Sequence, residues 1–296
     1  EKLRVPVLNE FMLGITYLGD EIAFLVVAMI LVWCVDKRTG YYVMSVGFLG
    51  TIANQFMKLW FRVPRPWVLD ENFTILEQAR EGATGYSFPS GHTQSSVGTF
   101  GAVAYTAKYK VLRYLCLAAV ILVPFSRMYL GVHTPKDVCV AALMAVLLVF
   151  LLKPVVLGRN KRMFHWFLGI MVAVSVAYLC FVSIYSFPAD IDPHNLASAV
   201  KNAYTLLGAI TGLVVVYVVD EKWIRFPTKA VWWAQVIKVI IGFLLVIAVK
   251  EGLRTPLDAA FGALPGRAVR YFLMVITGGS VWPMTFKWFS KLGSKE

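Results

Sequence analysis

Charge is scarce in this chain. Only 16% of its 296 residues are charged while 58% are hydrophobic, and a soluble domain carries roughly 25% charge. That shortage excludes a soluble multidomain protein. Cysteine is sparse too. Cys34, Cys116, Cys139 and Cys180 lie within apolar runs without C-x-x-C spacing. They read as small buried hydrophobes, so neither disulfides nor zinc are expected. No cluster has the oxygen-ligand pattern of a magnesium site. Asp190 and Asp192 come nearest, but Asp-x-Asp-Pro reads as a turn. No metal and no other cofactor is expected. The sequence shows no internal repeat, no low-complexity tract and no cleavable signal pattern at its first residue, Glu1. A net charge of +12 in a soluble protein would suggest nucleic acid. In a membrane chain it reads as basic cytoplasmic loops, and no nucleic-acid partner is expected. No obligate protein partner is evident.

What is present is a series of apolar runs near the spanning length of about 20 residues. They predict an all-α, polytopic helical membrane protein with about nine spans, at 20–35, 41–61, 92–107, 112–130, 137–157, 163–185, 198–219, 231–250 and 267–289. Every second connection is basic, carrying Lys37 and Arg38, then Lys108, Lys110 and Arg113, then Lys153 to Arg162, then Lys222 to Lys229. The positive-inside rule makes those connections cytoplasmic. The phasing puts the N-terminus outside and the C-terminus inside. The membrane is expected to be a bacterial plasma membrane, or the endoplasmic reticulum in a eukaryote. Leu8, Phe11, Met12 and Ile15 share one helical face. The segment before Asp20 either lies along the interface or merges into one long first helix that partly embeds Asp20 and Glu21.

Three polar islands interrupt the apolar background. They are Lys58-Leu-Trp-Phe-Arg62-Val-Pro-Arg65-Pro66, Phe88-Pro89-Ser90-Gly91-His92, and Ser126-Arg127 followed by His133-Thr-Pro-Lys-Asp137. An ionised side chain at the bilayer centre costs roughly 2.5–3.5 kcal/mol on insertion scales, so such groups point to function. The topology puts all three islands at the outer face. A lone cation there would snorkel to lipid headgroups. Three cations, each linked at set spacing to Pro, His or Asp, read instead as phosphate ligands: Lys58, Arg65 and Arg127. Arg62, one helical turn before Arg65, is a possible extra member. Ser90 and Gly91 form an anion cradle at a helix start. His92 sits at its edge, placed to give a proton to a leaving oxygen. His133 and Asp137 are four apart, so the carboxylate can hold one ring nitrogen and leave the other as nucleophile or base. Thr134-Pro135 argues for a turn that opens the fifth span, not a continuous helix. His165 and His194 read as structural. Lys250, Arg254, Arg267 and Arg270 bracket the last outer loop and hold either headgroups or a second anionic group of the substrate.

Together the islands resemble the signature of the type-2 phosphatidic acid phosphatase superfamily: Lys-x6-Arg-Pro, then Pro-Ser-Gly-His, then Ser-Arg-x5-His-x3-Asp. The chain matches every defined position in order, over roughly residues 50–140. The resemblance implies a core helix bundle over 1–187 that carries the site, with 188–296 adding further transmembrane helices to the same membrane domain. It implies that His133 is the nucleophile that becomes a phosphohistidine, that Asp137 orients it, and that His92 protonates the leaving group and then activates water. Lys58, Arg65, Arg127, Ser90 and the Gly91 amide would bind phosphoryl oxygens. The nine-span layout resembles the glucose-6-phosphatase and sphingosine-1-phosphate phosphatase branches more than the six-span lipid phosphatases. The expected substrate is a lipid phosphate or pyrophosphate reached from the bilayer, so membrane lipids are the expected surroundings. A phosphotransferase is the rival enzyme. A transporter or receptor on the same scaffold is the rival from another class, and the intact His92, His133 and Asp137 argue against it.

Overall fold

A computed structural model describes residues 4–70, 72–80 and 82–292, and all regular structure among them is helical. The helices are α1 (Pro6–Thr16), α2 (Glu21–Ile30), α3 (Lys37–Phe61), α4 (Pro66–Leu69), α5 (Gly91–Thr106), α6 (Lys110–Tyr129), α7 (Pro135–Leu157), α8 (Lys161–Ile184), α9 (Pro193–Val219), α10 (Trp232–Gly252), α11 (Arg254–Phe261), α12 (Ala263–Ile276) and α13 (Phe286–Phe289). The polytopic helical class is as the sequence predicts.

Among the described residues, five helices are long and apolar enough to cross a membrane, namely α6, α7, α8, α10 and α9 with its extension to Ile224. The bent pair Pro6–Gly19 and Glu21–Val35 makes six if it counts as one span. Helix length and composition therefore do not confirm the expected count of nine. α5 has only 16 residues, short of the roughly 17–25 that a spanning helix needs. α3 is 25 residues long, but Lys37, Arg38, Asn54, Gln55 and Lys58 dilute its apolar character. The last expected span is broken where α12 gives way to a π turn at Thr277–Val281 and a 3-10 turn at Trp282–Thr285. Less than half of each apolar window is buried. Only 17% of the window in α10 is buried, and Ile240, Leu244 and Ile247 are exposed on it. Such surface is a liability in water and the ordinary exterior in lipid.

The chain forms two compact units. The first gathers the segments up to Ala28, Tyr41–Arg159 and Phe187–Ala199. The second gathers Met29–Gly40, Asn160–Ser186 and the segment from Val200 onward. In the second unit the buried Trp33 indole donates to Gly278 O at 2.8 Å, and Lys37 pairs with Asp220 at 2.6 Å. In the first unit α5 packs between α6 and α7. Met12, Ala79, Ala83, Leu130 and Val132 form a small core with Leu8, Leu13 and Trp67 packed against it. That core fastens α1 to the loop after α4 and to the end of α6.

Local chemistry sets the helix ends that matter for the site. α1 stops at Thr16, a 3-10 turn covers Tyr17–Gly19, and the flanking axes differ by 56°. The N-terminal segment is thus a helix bent away from the one that follows, and Asp20 stands at the corner. α7 opens with Pro135 at its first position and a reciprocal capping box between Thr134 and Asp137. Asp192 Oδ1 accepts from His194 N and Asn195 N, capping α9.

Candidate active site

Four helix ends meet in the first unit. Lys58 lies in the last turn of α3, and Ser90, Gly91 and His92 start α5. Arg127 lies in the last turn of α6, while His133 precedes α7 and Asp137 sits in its first turn. Lys58, Arg65, Ser90, Arg127, His133 and Asp137 are all at least nine-tenths buried.

His133 is held from both ring nitrogens. Arg65 Nη1 lies 2.9 Å from Nε2. A guanidinium has no lone pair to offer, so Nε2 is the acceptor and the ring proton sits on Nδ1. Nδ1 faces Asp137 Oδ2 at 3.5 Å, and Ser87 Oγ lies beside both, 3.4 Å from Nδ1 and donating to Oδ2 at 2.6 Å. The same Oδ2 accepts from Thr134 N at 2.8 Å. One carboxylate thus starts α7, anchors Ser87 and sets the imidazole tautomer. Burial, reinforced by the Arg65, Arg127 and Lys58 cations, holds His133 well below the usual imidazole range, while Asp137 pulls the other way. The imidazole is therefore neutral at physiological pH.

The loop before α5 fastens the cations. Arg65 donates to Thr84 O at 2.6 Å, Gly85 O at 3.0 Å and Val132 O at 2.9 Å. Lys58 Nζ donates to Tyr86 O at 2.6 Å. Successive carbonyls point inward because Gly85 adopts φ +71°, a conformation that side chains rarely tolerate. Burial lowers the Arg65 pKa to about 10, with Asp137 opposing the shift, so the guanidinium stays charged at neutral pH. Ser90 N donates to Asp137 O at 3.1 Å, tying the second island to the third. The Ser90 hydroxyl caps α5 through Thr93 N, a long contact of 3.4 Å, and Gly91 opens that helix.

Arg127 differs from the other cations. Its Nη1 donates to Thr16 Oγ1 at 2.8 Å, but the buried Nε and Nη2 have no hydrogen-bond partner among the described residues. His92 is half-buried, with Nε2 2.8 Å from Asp20 Oδ1. Arg62 is not brought to the cluster. It sits in the left-handed region and its guanidinium donates to Leu59 O and Trp60 O, carbonyls at the end of its own helix. Among the described residues no three His, Cys, Asp or Glu gather to hold a metal ion.

The sequence reading missed Thr16, Asp20 and Ser87. Asp20 carried a signal, being an acid inside a largely apolar opening segment. Thr16 and Ser87 carried none, since neutral hydroxyls are common in membrane helices and loops.

A helical membrane scaffold whose helix ends gather an imidazole, a carboxylate and three cations defines a class: an integral membrane protein with a buried, cation-rich histidine site. The PAP2 superfamily model matches residues 38–161, and a PAP2 superfamily phosphatase transmembrane extension matches 204–295. The chain is 30% identical over 165 residues to phosphatidylglycerophosphatase B of Bacillus subtilis (strain 168), covering 51% of this chain and 76% of that protein. It is 22% identical over 294 residues to sphingosine-1-phosphate phosphatase 1 of Mus musculus, covering 90% of this chain and 65% of that protein. Undecaprenyl-diphosphatase BcrC of Bacillus subtilis (strain 168) is 27% identical over 151 residues, covering 49% of this chain and 73% of that protein. No solved structure gives a significant match. The chain belongs to the PAP2 superfamily, the type-2 phosphatidic acid phosphatases.

Proposed function

We propose that this chain is an integral membrane phosphatase that hydrolyses a lipid phosphate monoester or pyrophosphate at the extracytoplasmic face, through a phosphohistidine on His133 and without a metal. The observation that carries the proposal is Arg127. A cation at 2% exposure with two unpartnered donors is costly unless an anion completes it. Phosphoryl oxygens supply that anion, and the unprotonated Nε2 of His133, which accepts from Arg65, lies in the same cluster of helix ends.

The reaction runs in two transfers. The Nε2 lone pair attacks phosphorus and the bond from phosphorus to the ester oxygen breaks. Arg65 passes from Nε2 onto a phosphoryl oxygen, joining Lys58, Arg127, Ser90 and the Gly91 amide in stabilising the transferring charge. Asp137, reinforced by Ser87, balances the positive ring formed on His133. His92 gives a proton to the leaving oxygen. Water then attacks the phosphoenzyme, His92 takes its proton, the N–P bond breaks and inorganic phosphate leaves. Catalysis rests on positioning and fixed charge.

The three relatives are named for phosphatidylglycerophosphate, sphingosine-1-phosphate and undecaprenyl diphosphate chemistry. These names support a glycerolipid, sphingoid or polyprenyl phosphate as substrate. The exposed apolar surface of the long helices supports access from the bilayer. The test is phosphate release from a panel of these lipids in detergent, with water-soluble phosphates as controls. Chelator should leave the rate unchanged, and vanadate should inhibit as a five-coordinate mimic of the transition state. Activation by magnesium with indifference to vanadate would overturn the mechanism. Transfer of phosphoryl to an alcohol in preference to water would make the protein a phosphotransferase.

A further inference from the structure

We infer that Asp20 is a positioning residue for His92, delivered to the site by the N-terminal segment. The inference rests on the proton-transfer role of His92 proposed above. Three observations support it. Asp20 Oδ1 lies 2.8 Å from His92 Nε2, close enough for a direct charge-assisted hydrogen bond. The carboxylate stands at the 56° corner between the helical pair Pro6–Gly19 and Glu21–Val35, where the chain turns to reach α5. Gly19 beside it packs so tightly on α5 that an added Cβ would lie 2.8 Å from His92 Cβ and 2.9 Å from His92 O.

The same segment reaches a second member of the site. Thr16 Oγ1 accepts from Arg127 Nη1 at 2.8 Å. Arg4 pins the far end of the segment, donating to Tyr129 O and to Thr74 O. A stretch of about one helix length, fixed at both ends, therefore presents one hydroxyl to a phosphate ligand and one carboxylate to the acid–base histidine. The superfamily signature contains none of these residues.

The arrangement gives His92 a defined atom for its work. Asp20 holds the proton on Nε2, which leaves Nδ1 to exchange protons with substrate. In the first transfer Nδ1–H of the imidazolium protonates the leaving oxygen as the P–O bond breaks, and the ring becomes neutral. In the second transfer Nδ1 removes a proton from the attacking water as the O–P bond forms and the N–P bond breaks, restoring the imidazolium. Asp20 keeps its contact with Nε2 throughout. It orients the ring and stabilises its charged form, while Arg127 and Lys58 face the same ring as cations.

The dependence on leaving group tests this. A long-chain alkyl phosphate needs a proton on its departing oxygen. p-Nitrophenyl phosphate does not, because its phenolate leaves unaided. kcat/KM reports the first transfer only, so the later water step does not blur the comparison. Asp20→Asn should lose about 10–100-fold in kcat/KM on the alkyl phosphate and about threefold or less on p-nitrophenyl phosphate. Gly19→Ala, which forces the segment off α5, should show the same selectivity. Activity on p-nitrophenyl phosphate certifies that each variant is folded. Equal losses on both substrates, or no loss on either, would overturn the inference. His92→Gln is run beside them. If it too lacks selectivity, the proposed role of His92 fails. If it is selective and the Asp20 and Gly19 variants are not, this inference alone fails.

Discussion

Both compact units bury a cation, and they treat it in opposite ways. In the second unit Lys238 is fully buried and its ammonium is saturated: Trp33 O at 2.8 Å, Thr228 O at 3.1 Å, Gln235 Oε1 at 2.9 Å and the Phe286 ring at 4.2 Å. In the first unit Arg127 is also buried, yet two of its nitrogens have no hydrogen-bond partner among the described residues. Arg270 in the second unit is intermediate. Its Nε and Nη1 lack hydrogen bonds, but Asp258 lies 3.7 Å away and balances its charge. Lys238, a buried cation with every donor filled, serves the fold. One with idle donors and a nucleophile in the same cluster is set for an anion that arrives from outside.

The contrast can be broken experimentally, and the largest effect belongs to the nucleophile. His133→Ala should abolish turnover, by at least about 10⁴-fold, because the covalent route disappears. Retention of a tenth of wild-type activity would show that His133 is a bystander. Asp137→Asn should cost about 10²–10⁴-fold, by analogy with the carboxylate of a catalytic triad. A rate within twofold of wild type would make Asp137 a helix cap only. Arg127→Ala should lower kcat by about 10²–10³-fold, the range for loss of one transition-state donor, and should weaken vanadate inhibition in parallel. Thermal stability should barely change, since two of the three guanidinium nitrogens make no hydrogen bond among the described residues. Lys238→Met should do the reverse. It strands carbonyls that a lysine had filled, at about 1–3 kcal/mol, so the melting temperature should drop while specific activity stays within twofold. Loss of activity without loss of stability at Lys238 would erase the distinction between the units.

A smaller effect concerns pH. His133 is held below the ordinary imidazole pKa of about 6.5. The unfolded chain therefore binds a proton that the folded chain refuses, and stability falls as pH drops through that value. His133→Gln should flatten the difference in melting temperature between pH 7.5 and 5.5. An unchanged difference would mean the folded ring titrates normally.

Much of this was legible in the sequence, for a physical reason. Polar islands in an apolar chain stand out because bilayers penalise them, and the superfamily spacing links Lys58, Arg65, Ser90, Arg127, His133 and Asp137. The structure places these six at one set of helix ends. The span count was less legible, because hydropathy does not register that α5 stops at 16 residues or that Thr277–Val281 unwinds. Arg62 has the right residue type, but its left-handed backbone turns it onto its own helix. Thr16, Asp20 and Ser87 were hidden because their partners lie 46–111 residues away and no motif couples them.

The central claim is that the Nε2 of His133 takes the phosphoryl group. Rapid quench of the enzyme with a labelled p-nitrophenyl phosphate tests it most directly, best in the His92→Gln background, where loss of the base should slow hydrolysis of the intermediate. One acid-labile, base-stable phosphoryl group per site is expected, mapped to the peptide holding His133 and absent in the His133→Ala double variant. Label on any other residue, or label that survives loss of His133, would contradict it.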